Sequence, residues 1–321
     1  MKTIYLCENK RIIKSVYCTE EPVYCKADVL QDPHRFAETE YVFSTWGMPK
    51  FTEEEIKKLL PRLKAVFYGG GSVQAFARPF LKNGIKVFSA WTANAIPVAE
   101  YTVAQIILAN KGFYQSSRIA KTGNRDAARA FHCKTSGNYD AKIGIIGAGM
   151  IGKLVINMLK AYHLEVLVFD PFLPDEKAEE LGVLKCSLST LFKECRVISN
   201  HLANNNETQG MLKGVHFTSM PPYSTFINTG RGAQVVEADL INVLKERSDI
   251  TAVLDVTMPE PPVAGSEFYT LDNCILTPHI AGSAGNEVRR MGAYMKEEYR
   301  RFINNEPCKY EVTLQMLKTM A

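Results

Sequence analysis

The alternation of apolar and polar positions is sharpest over residues 142–170, KIGIIGAGMIGKLVINMLKAYHLEVLVFD. Residues 143–146 form a short apolar run, which predicts a buried strand. Glycines follow at 147, 149 and 152, and then Ile151, Leu154, Val155, Met158 and Leu159 recur at the spacing of one helix face. Residues 166–169 make a second apolar run that ends on Asp170. The stretch therefore predicts strand, tight turn, helix and strand, with an acid where the second strand stops.

The same rhythm extends in both directions. On the N-terminal side, strands are expected over residues 2–7, 41–46, 65–68 and 85–88, with a helix over 55–60 opened by a Thr52–Glu55 capping box. A long helix is expected to open at Pro97 and run toward Ser117, with Val98, Tyr101, Ala104, Ile107 and Leu108 as its apolar face. Residues 122–140 are polar and read as an irregular linking arm. On the C-terminal side, strands are expected over 197–200, 224–228, 251–256 and 274–277, with helices over 187–195, 237–245 and 286–304. Strands alternating with helices define an α/β chain with mostly parallel sheets.

The glycine pattern has a physical meaning if a dinucleotide binds. Gly147 permits the turn, Gly149 lets backbone approach a pyrophosphate, and Gly152 lets the helix pack on the strand. The free amides near Met150 and Ile151 face the phosphates. Asp170 lies where a carboxylate accepts hydrogen bonds from the adenosine ribose. A 2′-phosphate beside it would meet a like charge, a repulsion on the order of a few kcal/mol at an effective dielectric near 20. Pro171, Phe172 and Leu173 follow with no adjacent cation, so NAD is favoured over NADP.

Three further groups fall just past the carboxyl ends of expected strands: Arg231 between two glycines, Glu260 among prolines, and His279. In an open α/β sheet those ends share one crevice, the one that takes the nucleotide. Reduction of a keto acid needs a cation for the carboxylate and carbonyl, a proton donor for the developing alkoxide, and a carboxylate to orient that donor. Arginine, histidine and glutamate meet those needs. Each also has an ordinary reading, as a surface arginine, a solvated glutamate or a loop histidine. His201 ends another strand and is placed in the cofactor cleft, with structural packing as its rival. Gly69, Gly70 and Gly71 follow a strand and present bare amides to an anion or form a plain flexible turn. Trp91 and Asn94 follow the next strand, where a pocket wall and surface packing fit the Trp equally.

Length and composition set the bounds. At 321 residues and 46% hydrophobic, the chain suits two domains. Net charge is 38 − 34 = +4 with no basic block, which argues against nucleic acid. The eight cysteines form no CxxC pair and no zinc-like cluster, so no metal is expected and the thiols read as reduced in a cytoplasmic protein. The N-terminal apolar run is too short for a signal peptide, and no stretch suits a membrane span.

With these residues in place, the chain resembles the NAD-dependent D-isomer-specific 2-hydroxyacid dehydrogenases. The matching segments are GIIGAGMIG (144–152) with Asp170, INTGRG (227–232), the LDV…EPP run (254–262), LTPHIAG (276–282) and NAIPVAE (94–100). The resemblance implies a Rossmann-type dinucleotide-binding domain over residues 100–289, including the linking helix and arm. A smaller flavodoxin-like α/β substrate domain is then built from 1–99 and 290–321. It implies that His279 is the acid/base, Glu260 its partner and Arg231 the substrate anchor. Asp255 is placed against the nicotinamide carboxamide, with Met150, Ile151, Thr208, Thr229, Gly282 and Thr102 along the cofactor. Gly70, Gly71 and Asn94 are placed at the substrate. A hinged cleft, a homodimer formed through the cofactor domain, and a small 2-keto or 2-hydroxy acid as substrate follow from the same resemblance. The chain departs from the family at Val73, where an aspartate is usual, at Ala203, where a proline is usual, and before the fingerprint, which lacks the usual glycine-lysine. Two other readings stay open. One is an NAD-sensing, corepressor-like binding protein on the same fold. The other is a same-fold dehydrogenase for another donor such as phosphite; the family's formate enzymes pair histidine with glutamine, so Glu260 argues against formate.

Overall fold

A computed structural model describes residues 2–318; Met1 and positions 319–321 lie outside the described residues. The chain divides into two compact units, Met1–Pro97 with Ser283–Ala321, and Val98–Gly282. The expected boundaries stood at 99/100 and 289/290.

The first unit contains β1 (Thr3–Leu6), β2 (Val23–Tyr24), β3 (Tyr41–Ser44), β4 (Ala65–Tyr68) and β5 (Lys86–Ser89). They pair in parallel in the order β2-β1-β3-β4-β5, the flavodoxin-like arrangement. Glu311–Val312 adds an antiparallel edge beside β5. The strands bury both faces, and their side chains alternate between two cores. Leu6, Val42, Val66 and Val87 point to one. Phe43, Phe67 and Phe88 point to the other, under Val288, Met291 and Met295 of the helix Val288–Ile303. Phe67 and Phe88 stack at 5.0 Å between ring centroids, so the C-terminal helix covers an aromatic face. The Thr52–Glu55 capping box forms in both directions, 3.2 Å and 2.8 Å.

The second unit contains β6 (Tyr139–Ile146), β7 (His163–Phe169), β8 (Leu184–Lys185), β9 (Val197–Asn200), β10 (Thr225–Asn228), β11 (Thr251–Leu254) and β12 (Cys274–Leu276). All are parallel, in the order β8-β7-β6-β9-β10-β11-β12. This is the Rossmann order with one added strand. The chain moves outward from β6 to β8, then crosses back to β9. The switch point therefore lies between β6 and β9, where an open α/β sheet leaves its crevice.

Two expectations about elements need correction. Pro97 does not open the long helix; the helix runs Trp91–Asn110 with Pro97 inside it. Proline removes only one intrahelical donor, and the apolar residues on both sides of it keep the helix packed: Ala93, Ala95, Val98 and Ala99 are all buried. The helix stops at Lys111–Gly112, where Gly112 takes φ +64°, and a separate helix follows over Phe113–Lys121. The arm at 122–140 is not irregular throughout. It holds the helix Arg125–His132, capped by Asn124, whose side chain accepts from the Ala127 amide at 2.9 Å. Its only buried side chain is Phe131, too little apolar surface to show as periodicity.

Candidate functional site

The switch point is built by glycine. Gly147 turns with φ +90°, and a Cβ there would stand 2.8 Å from the His201 carbonyl oxygen. A Cβ on Gly152 would stand 2.0 Å from the Gly147 oxygen, so the helix Met150–Leu159 can lie this close to the turn only without one. Around Gly149 the corresponding space is open. Open space beside the unpaired amides of a ten-residue helix suits a pyrophosphate. Asp170 follows β7 directly. One carboxylate oxygen accepts from the Ala148 amide at 2.7 Å and the other from the Phe172 amide at 2.8 Å. Asp170 thus ties the glycine turn to the loop after β7, and each oxygen keeps a lone pair for a ribose hydroxyl.

Behind the crevice lies a buried hydrogen-bond chain. Ser199 Oγ meets His201 Nε2 at 3.0 Å, His201 Nδ1 meets Thr229 Oγ1 at 3.4 Å, and Thr229 Oγ1 meets Thr102 Oγ1 at 3.2 Å. Burial lowers the His201 pKa to about 3, so its ring is neutral. Thr208 is committed inside its own turn, donating to the Ala203 carbonyl at 2.6 Å.

Three strand ends of the second unit carry the charged groups. Arg231 follows β10 and is half-buried. Burial draws its guanidinium below its ordinary range, and the nearby charge of Glu260 opposes that shift. Its Nη1 donates to the Gly230 carbonyl at 2.7 Å. Below it, the amides of Asn200, Asn228 and Gln234 form a sealed network: Asn200 Nδ2 donates to Asn228 Oδ1 at 3.0 Å and to Gln234 Oε1 at 2.6 Å. Gln234 Oε1 also accepts from the Arg231 amide at 3.1 Å. Sequence reasoning missed this network. Its trace was an asparagine at the end of each of two apolar strands, β9 and β10.

His279 follows β12, and its Nδ1 stands 2.7 Å from Glu260 Oε1. Its backbone adopts φ +54°, a left-handed geometry that a non-glycine residue takes at a cost of roughly 1–2 kcal/mol. Asp255 holds it there. One Asp255 oxygen accepts from Thr277 Oγ1 at 2.6 Å and the Ile280 amide at 2.8 Å, the other from the Ala281 amide at 2.9 Å. Gly282 closes this loop at the unit boundary. The structure thus brings Arg231, Glu260 and His279 into one group. Among the described residues, no three His, Cys, Asp or Glu side chains gather as a metal site would need. No helix of the described residues is long and apolar enough to cross a membrane.

In the first unit, Gly70, Gly71 and Asn94 also meet. Ser89 Oγ donates between the Gly70 and Gly71 carbonyls, at 2.9 Å and 2.6 Å. A Cβ on Gly71 would lie 3.3 Å from Asn94 Nδ2, and Asn94 Oδ1 accepts from the Ser283 amide at 3.0 Å. Val73, the family departure, is fully buried in the core there. Trp91 starts a helix with its indole nitrogen buried and unpartnered.

A parallel sheet in Rossmann order and a glycine turn with a trailing acid together describe a dinucleotide-binding unit, with an arginine, a glutamate and a histidine at its strand ends. The comparisons agree. Residues 103–281 match the sequence profile of the D-isomer specific 2-hydroxyacid dehydrogenase NAD binding domain, and the chain belongs to that family. It is 30% identical over 237 residues to a D-3-phosphoglycerate dehydrogenase of Archaeoglobus fulgidus, covering 74% of this chain and 44% of that one. It is 29% identical over 221 residues to an (S)-sulfolactate dehydrogenase of Chromohalobacter salexigens, covering 68% and 71%. The solved structure of D-2-hydroxyisocaproate dehydrogenase shares the fold, with a TM-score of 0.79, 17% identity and coverage of 98% and 100%. The chain spans about half the length of the D-3-phosphoglycerate dehydrogenases it matches, 44% and 48% for two of them.

Proposed function

We propose that this protein is an NAD-dependent oxidoreductase that interconverts a 2-keto acid and a D-2-hydroxy acid. The observation that carries the reading is the 2.7 Å contact between His279 Nδ1 and Glu260 Oε1, with Arg231 within reach of the Glu260 charge. A carboxylate at Nδ1 fixes the ring's orientation and leaves Nε2 free to face a reacting oxygen. NADH, when bound, supplies the hydride. His279 gives its Nε2 proton to the carbonyl oxygen during reduction and takes it back from the hydroxyl during oxidation. Arg231 pairs with the substrate carboxylate through its two-pronged guanidinium and draws charge toward the carbonyl oxygen. In this reading Gly70, Gly71 and Asn94 are assigned to substrate binding, and Thr102, Thr208, Thr229, His201, Asp255 and Gly282 to the cofactor. Assembly as a homodimer through the nucleotide unit belongs to the same reading. It is supported by Leu108 and Phe113, exposed at the junction of two helices of that unit.

The test is purified protein with NADH and a panel of keto acids, followed by cofactor absorbance. The panel includes the keto acids that correspond to 3-phosphoglycerate and sulfolactate, the substrates in the relatives' names. Turnover of at least one member is expected, with His279→Gln slower by about two to four orders of magnitude at unchanged NADH affinity. NADH binding without turnover of any member would overturn the reading.

A further inference from the structure

The loop that carries Glu260 has few means of holding its shape. Residues 258–262 read MPEPP, so only Met258 and Glu260 own an amide N–H. Met258 and Glu260 are also solvent-exposed, so core packing does not fix them. One of those two amides is used. The Met258 N–H donates to Glu237 Oε1 at 2.6 Å, a charge-assisted bond to the first residue of the helix Glu237–Glu246. Glu237 is half-buried and stands at a helix start, where a carboxylate is favoured. Its own backbone is anchored, because the preceding Val236 amide donates to the Leu212 carbonyl at 2.9 Å.

A second tie joins the same two segments. Gly232 lies flat against Thr257: a Cβ there would stand 2.0 Å from the Thr257 carbonyl carbon. Thr257 Oγ1 in turn donates to the Pro259 carbonyl at 2.9 Å, one peptide before Glu260. A single stretch of chain, residues 231–237, thus carries Arg231 at one end and grips the Glu260 loop through Gly232 and Glu237.

We infer that Glu237 is a positioning residue: its side-chain oxygen, by accepting the Met258 amide, holds Glu260 in register with His279 and Arg231. The inference rests on the proposed acid–base role of the His279–Glu260 pair. It separates reach from charge. Glutamine at 237 keeps an oxygen at the same distance, whereas aspartate keeps the charge and falls one methylene short.

The experiment compares Glu237→Gln, Glu237→Asp and His279→Gln in the full chain, on whichever keto acid the wild type turns over. Glu237→Asp should lower kcat by about 10- to 100-fold, because displacing a catalytic group by about an ångström has that effect. Its NADH Kd should stay within about twofold of wild type, since neither Glu237 nor Glu260 is among the residues assigned to the cofactor. Glu237→Gln should recover kcat to within about threefold of wild type. Glu237→Asp as fast as wild type, or Glu237→Gln as slow as Glu237→Asp, overturns the inference. If His279→Gln also turns over at the wild-type rate, the acid–base reading fails and takes the inference with it; if His279→Gln is slow and Glu237→Asp is not, the inference fails alone.

Discussion

His201 shows how much one side chain's setting matters. Its ring is sealed between Ser199 and Thr229, and burial lowers its pKa from the ordinary 6.5 to about 3. The folded value lies below the unfolded one, so between those pH values the unfolded chain binds the extra proton. The stability His201 contributes is complete above pH 6.5 and is lost as pH falls, at ~1.4 kcal/mol per pH unit. Urea unfolding of wild type and His201→Gln at pH 7 and pH 5 should show the wild type losing about 2 kcal/mol more. Parallel losses would mean that the ring protonates inside the fold. Asp170 carries a double load of the same local kind. Asp170→Ala removes the tie to the Ala148 amide and, in the proposed reading, a ribose acceptor. NADH affinity should fall more than NADPH affinity, and fluorescence titration with both cofactors checks it. An unchanged ratio would take the carboxylate away from the ribose. Arg231, Glu260 and His279 were legible as candidates because each follows an apolar run. Glu237 and the Asn200–Asn228–Gln234 network were not, because their importance lies in partners 21 to 34 residues away.

Elements were legible where burial is two-sided. Residues 65–68 and 197–200 emerge as β4 and β9 with the expected ends, since a strand covered on both faces reads as an unbroken apolar run. Short amphipathic helices escaped. Lys10–Tyr17 was not expected, and it shows only Ile13, Val16 and Tyr17 as a buried stripe among charged residues. The helix after the glycine turn was expected from its periodicity, and its tightest contact makes a prediction. Gly152→Ala places a methyl 2.0 Å from the Gly147 oxygen, a backbone atom that cannot swing aside. The helix must shift off the turn, so stability should fall by roughly 1–3 kcal/mol. NADH binding should weaken at least tenfold, about 1.4 kcal/mol. Thermal unfolding with and without NADH measures both, and a variant that melts and binds like wild type would mean that the turn yields freely.

At the scale of the whole molecule the chain has two units, each with a sheet buried on both faces. The glycine turn, Asp170 and the buried Ser199–Thr102 chain all belong to the second. A ligand stabilises the state it binds by RT ln(1 + [L]/Kd), about 2.7 kcal/mol at a hundredfold excess over Kd. Calorimetry should therefore resolve two transitions, with NADH raising one and leaving the other in place. Equal shifts in both would show that the units unfold as one body. Removing the segment after Gly282 should destroy the first unit, since it takes Val288, Met291 and Met295 off the Phe43–Phe67–Phe88 face.

By itself the sequence determined the α/β class, the glycine turn with its acid, and which strand ends carry arginine, glutamate and histidine. Those features depend on short-range pattern: period, spacing and the need of a turn for glycine. Only the tertiary structure decided that Glu260 and His279 touch, that Asp255 holds the histidine loop in a left-handed turn, and that Glu237 grips the glutamate loop. It also decided that Pro97 stays inside a helix and that the last strand, Glu311–Val312, returns to β5. Such facts depend on contacts between residues distant in the chain, which packing selects and local pattern does not record.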